Sequence, residues 1–159
     1  MGEILTWDEV AAERALRRRY GGIAVFTNGV FDLLHIGHLE YLEQARDMGD
    51  WLVVGINGDN AVWQLKGPGR PIVPVEERAR LVAALAPVDA VVIFNQITAE
   101  RLIEVIHPDI YVKGGDWSER DPPPEVAIVR RYGGQVEYLP YTPEHSTSRL
   151  IERIKRVGG

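Results

Sequence analysis

The feature that most limits how this chain can fold is a short apolar run that is followed by a polar turn and a helical pattern. Residues 23–26 form a continuous apolar run, which predicts a strand buried on both faces. From His38 onward, apolar residues recur every three positions, as on one buried helical face: Leu39, Leu42, Ala45 and Met48. A buried strand that leads into a helix is half of a β-α-β unit, so we expect an α/β fold.

The same alternation of apolar runs and helical patterns continues along the chain. Further strands are predicted at residues 51–56, 90–94, 110–112 and 136–139. Helices are predicted at residues 7–20, from 59, from 74, at 98–107, at 125–132 and after 146. This order predicts a doubly wound, mostly parallel, five-stranded Rossmann-like sheet with helices on both faces. We expect a single domain over residues 1–159, with residues 1–22 as an N-terminal helical extension.

Several helices have capping residues at their predicted starts. Thr6 and Glu9 have the spacing of a capping box at the first helix. Asp59 or Asn60 is predicted to cap the short helix that follows the second strand, and Thr98 the helix before residue 107. Residues 146–148 give the last helix a hydroxyl-rich N-terminus. That helix is predicted to be amphipathic, with these apolar residues: Leu150, Ile151, Ile154 and Val157.

Composition excludes several classes of protein. The net charge of −5 argues against nucleic acid as the main partner. The chain has no cysteine, which excludes disulfides and thiolate metal sites and fits a reducing compartment. It has no basic-then-apolar leader, and no apolar run approaches the ~18–20 residues of a membrane span. We therefore expect a cytoplasmic protein with no membrane partner.

The polar turn after the first strand, residues 27–38, concentrates the candidate functional groups. Gly29 and Gly37 allow the backbone to approach a ligand closely, and the helix N-terminus offers unpaired N–H groups to an anion. His35 and His38 lie in the same turn. From their spacing alone, the two histidines are metal ligands, ordinary core residues or donors to a phosphate, and these alternatives stay open.

The motif in this turn resembles a known signature. Residues 29–38, Gly-Val-Phe-Asp-Leu-Leu-His-Ile-Gly-His, are similar to that of the HIGH-motif nucleotidyltransferase superfamily, cytidylyltransferase branch. The similarity runs from about residue 27 to 154. Residues 65–71, 77–78 and 112–116 resemble one branch in particular, the adenylyltransferase domain that makes bacterial ADP-heptose for the lipopolysaccharide core.

The resemblance implies an adenylyltransferase that uses ATP with Mg²⁺ and a small phosphorylated acceptor. It implies that His35 and His38 stabilise the α-phosphate, that Lys66 binds phosphate and that Arg78 is held near the active site. All four are predicted to be catalytic, and their residue types predict that Lys66 and Arg78 act as mobile cations at the triphosphate. It implies nucleotide contacts from these residues: Asn28, Gly29, Val30, Phe31, His35, Gly37, His38, Lys66, Gly115, Asp116, Ser146 and Thr147. Asp32 is predicted to bind acceptor hydroxyls and Lys113 the acceptor phosphate. No protein ligand to a metal is predicted, and a homodimer is left open.

Each predicted role has an ordinary alternative. Lys66 can be a solvated loop residue, Arg78 can pair with Glu76 or Glu77, and residues 146–148 can simply cap a helix. Asp116, beside two glycines, can be a turn residue. His145 stands at a position where related proteins vary.

The acceptor also has alternatives, namely glycerol 3-phosphate with CTP, FMN with ATP, or none in a non-catalytic nucleotide-binding module. We prefer a sugar phosphate to a flavin because Trp51 and Tyr111 are expected in the core. This leaves only Trp63 and Trp117 for a flavin slot.

Overall fold

The computed structural model describes residues 1–115, 117–140 and 145–158. Within these ranges the chain forms one sheet of six parallel strands with seven helices. The strands are β1 Glu3–Ile4, β2 Ala24–Gly29, β3 Trp51–Asn57, β4 Ala90–Phe94, β5 Ile110–Gly114 and β6 Gln135–Leu139. The helices are α1 Trp7–Arg19, α2 Ile36–Arg46, α3 Asp59–Lys66, α4 Val75–Ala83, α5 Glu100–Ile106, α6 Glu125–Arg131 and α7 Thr147–Val157. The predicted α/β fold class is confirmed.

The predicted number of strands was wrong, because β1 was not foreseen. Its two residues are exposed and pair with β4 in parallel, Glu3 opposite Ala90 and Ile4 opposite Val91. A two-residue exposed strand has no apolar run by which it could be predicted, so its pairing depends on the position of β4. Residues 1–22 therefore contribute an edge strand as well as α1.

Two of the predicted helix caps were also wrong. Gly58 occupies the N-cap of α3, and Asp59 lies in the first turn instead. Ala99 occupies the N-cap of α5, and its N–H donates to the buried carboxylate of Glu125 at 2.8 Å. A side chain from α6 thus binds a backbone donor at the start of α5. The capping box predicted at Thr6 and the hydroxyl cap predicted at Ser146 are confirmed.

Hydrophobic residues pack on both faces of the sheet, since side chains alternate along each strand. One core joins β-strand residues such as Phe26 and Val53 to α5 and α6, through Leu102, Ile103 and Val129. The other joins the alternate residues Val25, Leu52 and Val54 to helices α2 and α4: Leu42, Ala45, Ala79 and Val82. All seven residues of β3 are buried, as expected for a central parallel strand. Within the described ranges, no helix combines the length and hydrophobicity needed to traverse a bilayer.

The strand order places a crevice at the carboxyl ends of β2 and β5. The order across the sheet is β1-β4-β3-β2-β5-β6, so the chain moves outward from β2 through β3 and β4 and then returns to β5 on the other side of β2. Ligands of doubly wound sheets bind outside such a reversal point. The motif loop, residues 30–35, leaves β2 at this crevice.

Candidate functional site

The motif loop has an unusual backbone conformation. Phe31 and Leu33 have φ values of 50° and 51°, in the left-handed region that non-glycine residues rarely occupy. Such conformations persist where surrounding contacts hold them. The Phe31 side chain is buried and contacts the His38 ring, with ring centroids 5.3 Å apart. A Cβ added to Gly29 would lie 3.1 Å from the Phe31 ring, so a glycine suits the end of β2.

Asp32 links the motif loop to the loop at residues 67–73 through hydrogen bonds. Its carboxylate is only 1% exposed and accepts hydrogen bonds from Arg70 Nε at 2.8 Å, Ile72 N at 2.8 Å and Val73 N at 3.0 Å. Burial raises the pKa of Asp32, but the backbone donors and Arg70 together lower it below the usual value. Protein donors thus hold the Asp32 carboxylate, and its binding of acceptor hydroxyls stays a prediction. Arg70 is held in the same contact.

The two histidines of the motif stack on each other at the start of α2. Their ring centroids are 3.9 Å apart, and the backbone N–H of His35 donates to Nδ1 of His38 at 3.4 Å. A neutral histidine that accepts at Nδ1 carries its proton on Nε2, so His38 can donate from Nε2 to a ligand. Burial, and then the neighbouring His35, lowers the pKa of His38 to about 4. His38 is therefore neutral near pH 7.

Gly37 lies between His35 and His38 in the sequence, at a position where a Cβ would be crowded. A Cβ at this position would lie 3.1 Å from Nδ1 of His35 and 3.2 Å from the Cβ of His145. Its absence leaves the first turn of α2 open to close approach by a phosphate. Gly37 thus lies beside the His35 ring and His145, and its contact with a nucleotide stays a prediction.

Two lysine ammonium groups lie near the crevice. Lys66, the last residue of α3, is exposed and has no hydrogen-bond or ion-pair partner among the described residues. Lys113 Nζ donates to the backbone oxygen of Asn28 at 3.2 Å. The pKa of Lys113 is lowered by burial and by the nearby charge of Lys66, while Glu125 raises it. The charges of these two lysines interact, which favours an anionic ligand near them.

Asn28, at the end of β2, is oriented by a neighbouring strand. Its side-chain oxygen accepts from the Tyr111 hydroxyl at 2.8 Å. This contact assigns the amide, and it directs the Nδ2 group away from Tyr111, where its protons can serve a ligand. Tyr111 is fully buried, as the sequence predicted for a core residue, and its role in orienting Asn28 was not foreseen.

Arg78 is buried and immobile, so the prediction of a mobile cation was wrong. Its side chain is 0% exposed. It donates from Nε to Val73 O at 2.8 Å, from Nη1 to Val30 O at 2.6 Å and from Nη2 to Asp59 at 2.6 Å. The surface pairing considered for it, with neighbouring glutamates of α4, is also absent, since its carboxylate partner is Asp59. Arg78 instead ties the motif loop to α3 and to the segment before α4.

The hydroxyl groups at the start of α7 form hydrogen bonds within the protein. Ser146 Oγ accepts from the Arg149 N–H at 3.2 Å, which leaves its own proton free to be donated. Thr147 Oγ1 donates to the backbone oxygen of Asp32 at 2.6 Å. Because that bond uses the only hydroxyl proton of Thr147, its side chain has no proton left for a phosphate. The first bond caps α7, and the second binds it to the motif loop.

The turn after β5 carries the remaining predicted residues. Gly115 has a φ of 81°, a conformation that favours glycine, and it directs the chain away from β5 beside Lys113. Asp116 lies outside the described residues. Sequence analysis missed three residues that hold site residues in place through contacts distant in the chain. Arg70 holds Asp32, Asp59 holds Arg78, and Tyr111 holds Asn28.

Comparison with known proteins gives a consistent family. Residues 26–153 match the family model described as cytidylyltransferase-like. The bifunctional protein HldE of Syntrophotalea carbinolica is 47% identical over 143 residues, which cover 87% of this chain and 28% of that protein. The HldE of Pseudomonas aeruginosa is 48% identical over 141 residues, which cover 89% of this chain and 30% of that protein. The chain thus spans less than a third of these curated relatives.

A solved structure agrees with the sequence relatives. The lipopolysaccharide core biosynthesis protein of Thermoplasma volcanium matches with a TM-score of 0.62 and 27% identity, covering 77% of this chain and 98% of that protein. The family model covers the carboxyl-terminal part of β2, the motif loop and the start of α7, which contribute to the site. The chain belongs to the cytidylyltransferase-like family.

Proposed function

We propose that the protein transfers the adenylyl group of ATP to a sugar 1-phosphate, D-glycero-D-manno-heptose 1-phosphate, and releases pyrophosphate. The observation that carries this proposal is the stacked, neutral histidine pair at the N-terminus of α2. The neutral Nε2–H of His38, beside the backbone N–H groups at the start of α2, suits an α-phosphate that gains negative charge in the transition state. The acceptor follows from the branch that the sequence resembles and from the HldE relatives.

In this mechanism an oxygen of the acceptor phosphate attacks the α-phosphorus, and the bond from that phosphorus to the pyrophosphate oxygen breaks. The protein needs no nucleophile of its own, so its work is positioning and charge stabilisation. His38, anchored through Nδ1, donates from Nε2 to an α-phosphate oxygen. Lys66 approaches the departing pyrophosphate from the end of α3, and Lys113 approaches the acceptor phosphate. Arg78 and Asp32 hold the surrounding loops and do not contact the reacting atoms.

Magnesium fits this site as the counter-ion of ATP. Within the described ranges, no group of three His, Cys, Asp or Glu side chains is arranged to hold a metal ion. The Asp32 carboxylate is occupied by Arg70 and backbone donors. We therefore assign the ion's ligands to phosphate oxygens and water, a common arrangement for Mg²⁺. When bound, it would neutralise charge on the triphosphate.

The acceptor can be identified by a matrix of two nucleotides and three acceptors. We expect pyrophosphate release and an ADP-sugar with ATP and heptose 1-phosphate, detected by a coupled pyrophosphate assay and mass spectrometry. Glycerol 3-phosphate with CTP and FMN with ATP are the comparison reactions. FAD formation without ADP-heptose would reject the sugar acceptor and leave adenylyl transfer in place. ATP binding without pyrophosphate from any acceptor would indicate a non-catalytic nucleotide-binding module.

Lys66 is predicted to act on nucleotide binding as well as on rate. We expect Lys66→Ala to raise the KM for ATP about tenfold and to lower kcat, because the exposed ammonium neutralises triphosphate charge. The effect is expected to shrink with added salt, which screens exposed charges. Steady-state kinetics at two ionic strengths provide the measurement. Lys155→Ala, on the exposed part of α7, removes the same charge away from the crevice and serves as the control. Equal KM values for the two variants would show that Lys66 is only a solvated residue.

A further inference from the structure

The ring of His35 has one nitrogen with no partner. Nδ1 of His35 is buried and forms no hydrogen bond within the described ranges. Nδ1 of His38, by contrast, accepts from the backbone N–H of His35. The backbone therefore sets the tautomer and the ring orientation of His38. The backbone N–H of His38 faces the His35 side chain in a capping-box arrangement, but it donates to the backbone oxygen of His35 at 3.0 Å and so does not set the His35 tautomer. A buried nitrogen without a partner is costly, so a donor is expected beside it.

His145 lies beside this nitrogen. Nδ1 of His35 and the Cβ of His145 both lie within 3.2 Å of the point where a Cβ on Gly37 would stand. The pKa of His35 is lowered by burial and then by the nearby His145. The side chain of His145 is exposed and has no hydrogen-bond partner among the described residues. Its ring is thus available to turn toward His35.

The backbone of His145 is held at the motif loop by the two residues that follow it. Ser146 caps α7, and Thr147 donates to the backbone oxygen of Asp32 at 2.6 Å. Asp32 in turn is three residues before His35 in the same loop. These contacts fix the start of α7 against the motif loop. They therefore fix the distance between the backbones of His145 and His35.

We propose that His145 is a positioning residue for His35, donating a ring N–H to Nδ1 of His35 and thereby placing the His35 proton on Nε2. The exposed ring of His145 would turn toward His35, since both groups adjoin the same point over Gly37. Both histidines of the motif then have an anchored Nδ1 and present Nε2–H to the phosphate. His145 itself does not touch the reacting atoms. The effect on turnover rests on the proposed function, whereas the effect on the tautomer does not.

Nitrogen NMR of the ligand-free protein tests the proposal directly. The chain has four histidines, so the long-range ¹H–¹⁵N spectrum of the imidazoles is simple and can be assigned with single variants. At pH 7.5 we expect His35 to carry its proton on Nε2 in the wild type. In His145→Ala we expect a mixture of tautomers at His35, while His38 is unchanged. His145→Gln supplies a carboxamide N–H in place of the imidazole donor and is expected to restore the Nε2–H form.

Kinetics of the same variants separate positioning from binding. We expect His145→Ala to lower kcat about tenfold, because it removes one orienting hydrogen bond. Its KM for ATP is expected to stay within about twofold of the wild-type value. His145→Gln is expected to recover most of kcat. Glu152→Ala, an exposed change on α7, controls for disturbance of that helix. An identical His35 tautomer in wild type and His145→Ala overturns the proposal, and so does a changed tautomer with undiminished turnover. A wild type that makes no ADP-sugar would overturn the proposed function and leave the NMR result valid.

Discussion

Replacing His38 with alanine is expected to lower kcat by about 10²–10³-fold, with a much smaller change in the KM for ATP. In the proposed mechanism the Nε2–H of His38 donates to charge that develops on the α-phosphate, so its contribution is larger in the transition state than in the bound substrate. His35→Ala is expected to have an effect of the same order. Steady-state kinetics with ATP and heptose 1-phosphate provide both parameters.

His107 offers a matched control for the histidine variants. It stacks on Tyr132, with ring centroids 4.5 Å apart, and has a φ of 47°. His107→Asn suits this left-handed conformation and removes an imidazole outside the crevice. Its kcat should stay within about twofold of the wild type. Turnover of His38→Ala within threefold of His107→Asn would remove His38 from the mechanism.

Arg78→Ala is expected to destabilise the fold by about 3 kcal/mol or more. The substitution leaves a buried cavity and deprives the carbonyl oxygens of Val30 and Val73 of a charged donor. It also frees Asp59 at the start of α3, the helix that ends in Lys66. We therefore expect kcat to fall as well, because the motif loop and α3 lose their common anchor. Urea unfolding followed by tryptophan fluorescence measures the free energy of unfolding.

Arg80→Ala provides the comparison for this variant. Arg80 lies on α4, two residues from Arg78, and is exposed. The two substitutions remove the same charge from the same helix, so their difference reports the contribution of the buried contacts. Surface substitutions usually change stability by less than about 0.5 kcal/mol. If Arg78→Ala were as stable as Arg80→Ala, the buried hydrogen bonds described here would not be important to the fold.

The chemical character of the site followed from the sequence because its main groups are neighbours in the chain. The strand before the motif, the motif itself and α2 form one continuous segment, and the apolar patterns that define them are local. Strands β3 to β6 and the helices lie within a few residues of their predicted positions for the same reason. The pairing of His35 with His38 also depends on a spacing of three residues, which the first turn of a helix brings together.

The roles of Asp32 and Arg78 were decided only by the tertiary structure. Asp32 is 38 residues from Arg70, Arg78 is 19 residues from Asp59, and Thr147 is 115 residues from Asp32. A charged residue in a polar turn has the same local pattern whether it binds a ligand or another part of the protein. The sheet order decided between these possibilities, because it brought the ends of distant segments to one crevice.

The sequence by itself thus determined the fold class, the position of the motif and the residue types that we propose to face a phosphate. The tertiary structure decided which charged groups remain free for a ligand, Lys66 among them, and which are used within the protein. The physical reason is that burial and hydrogen-bond partners are properties of contacts between segments. β1 shows the same limit in the fold, since two exposed residues became a strand only because the edge of β4 was there to pair with them.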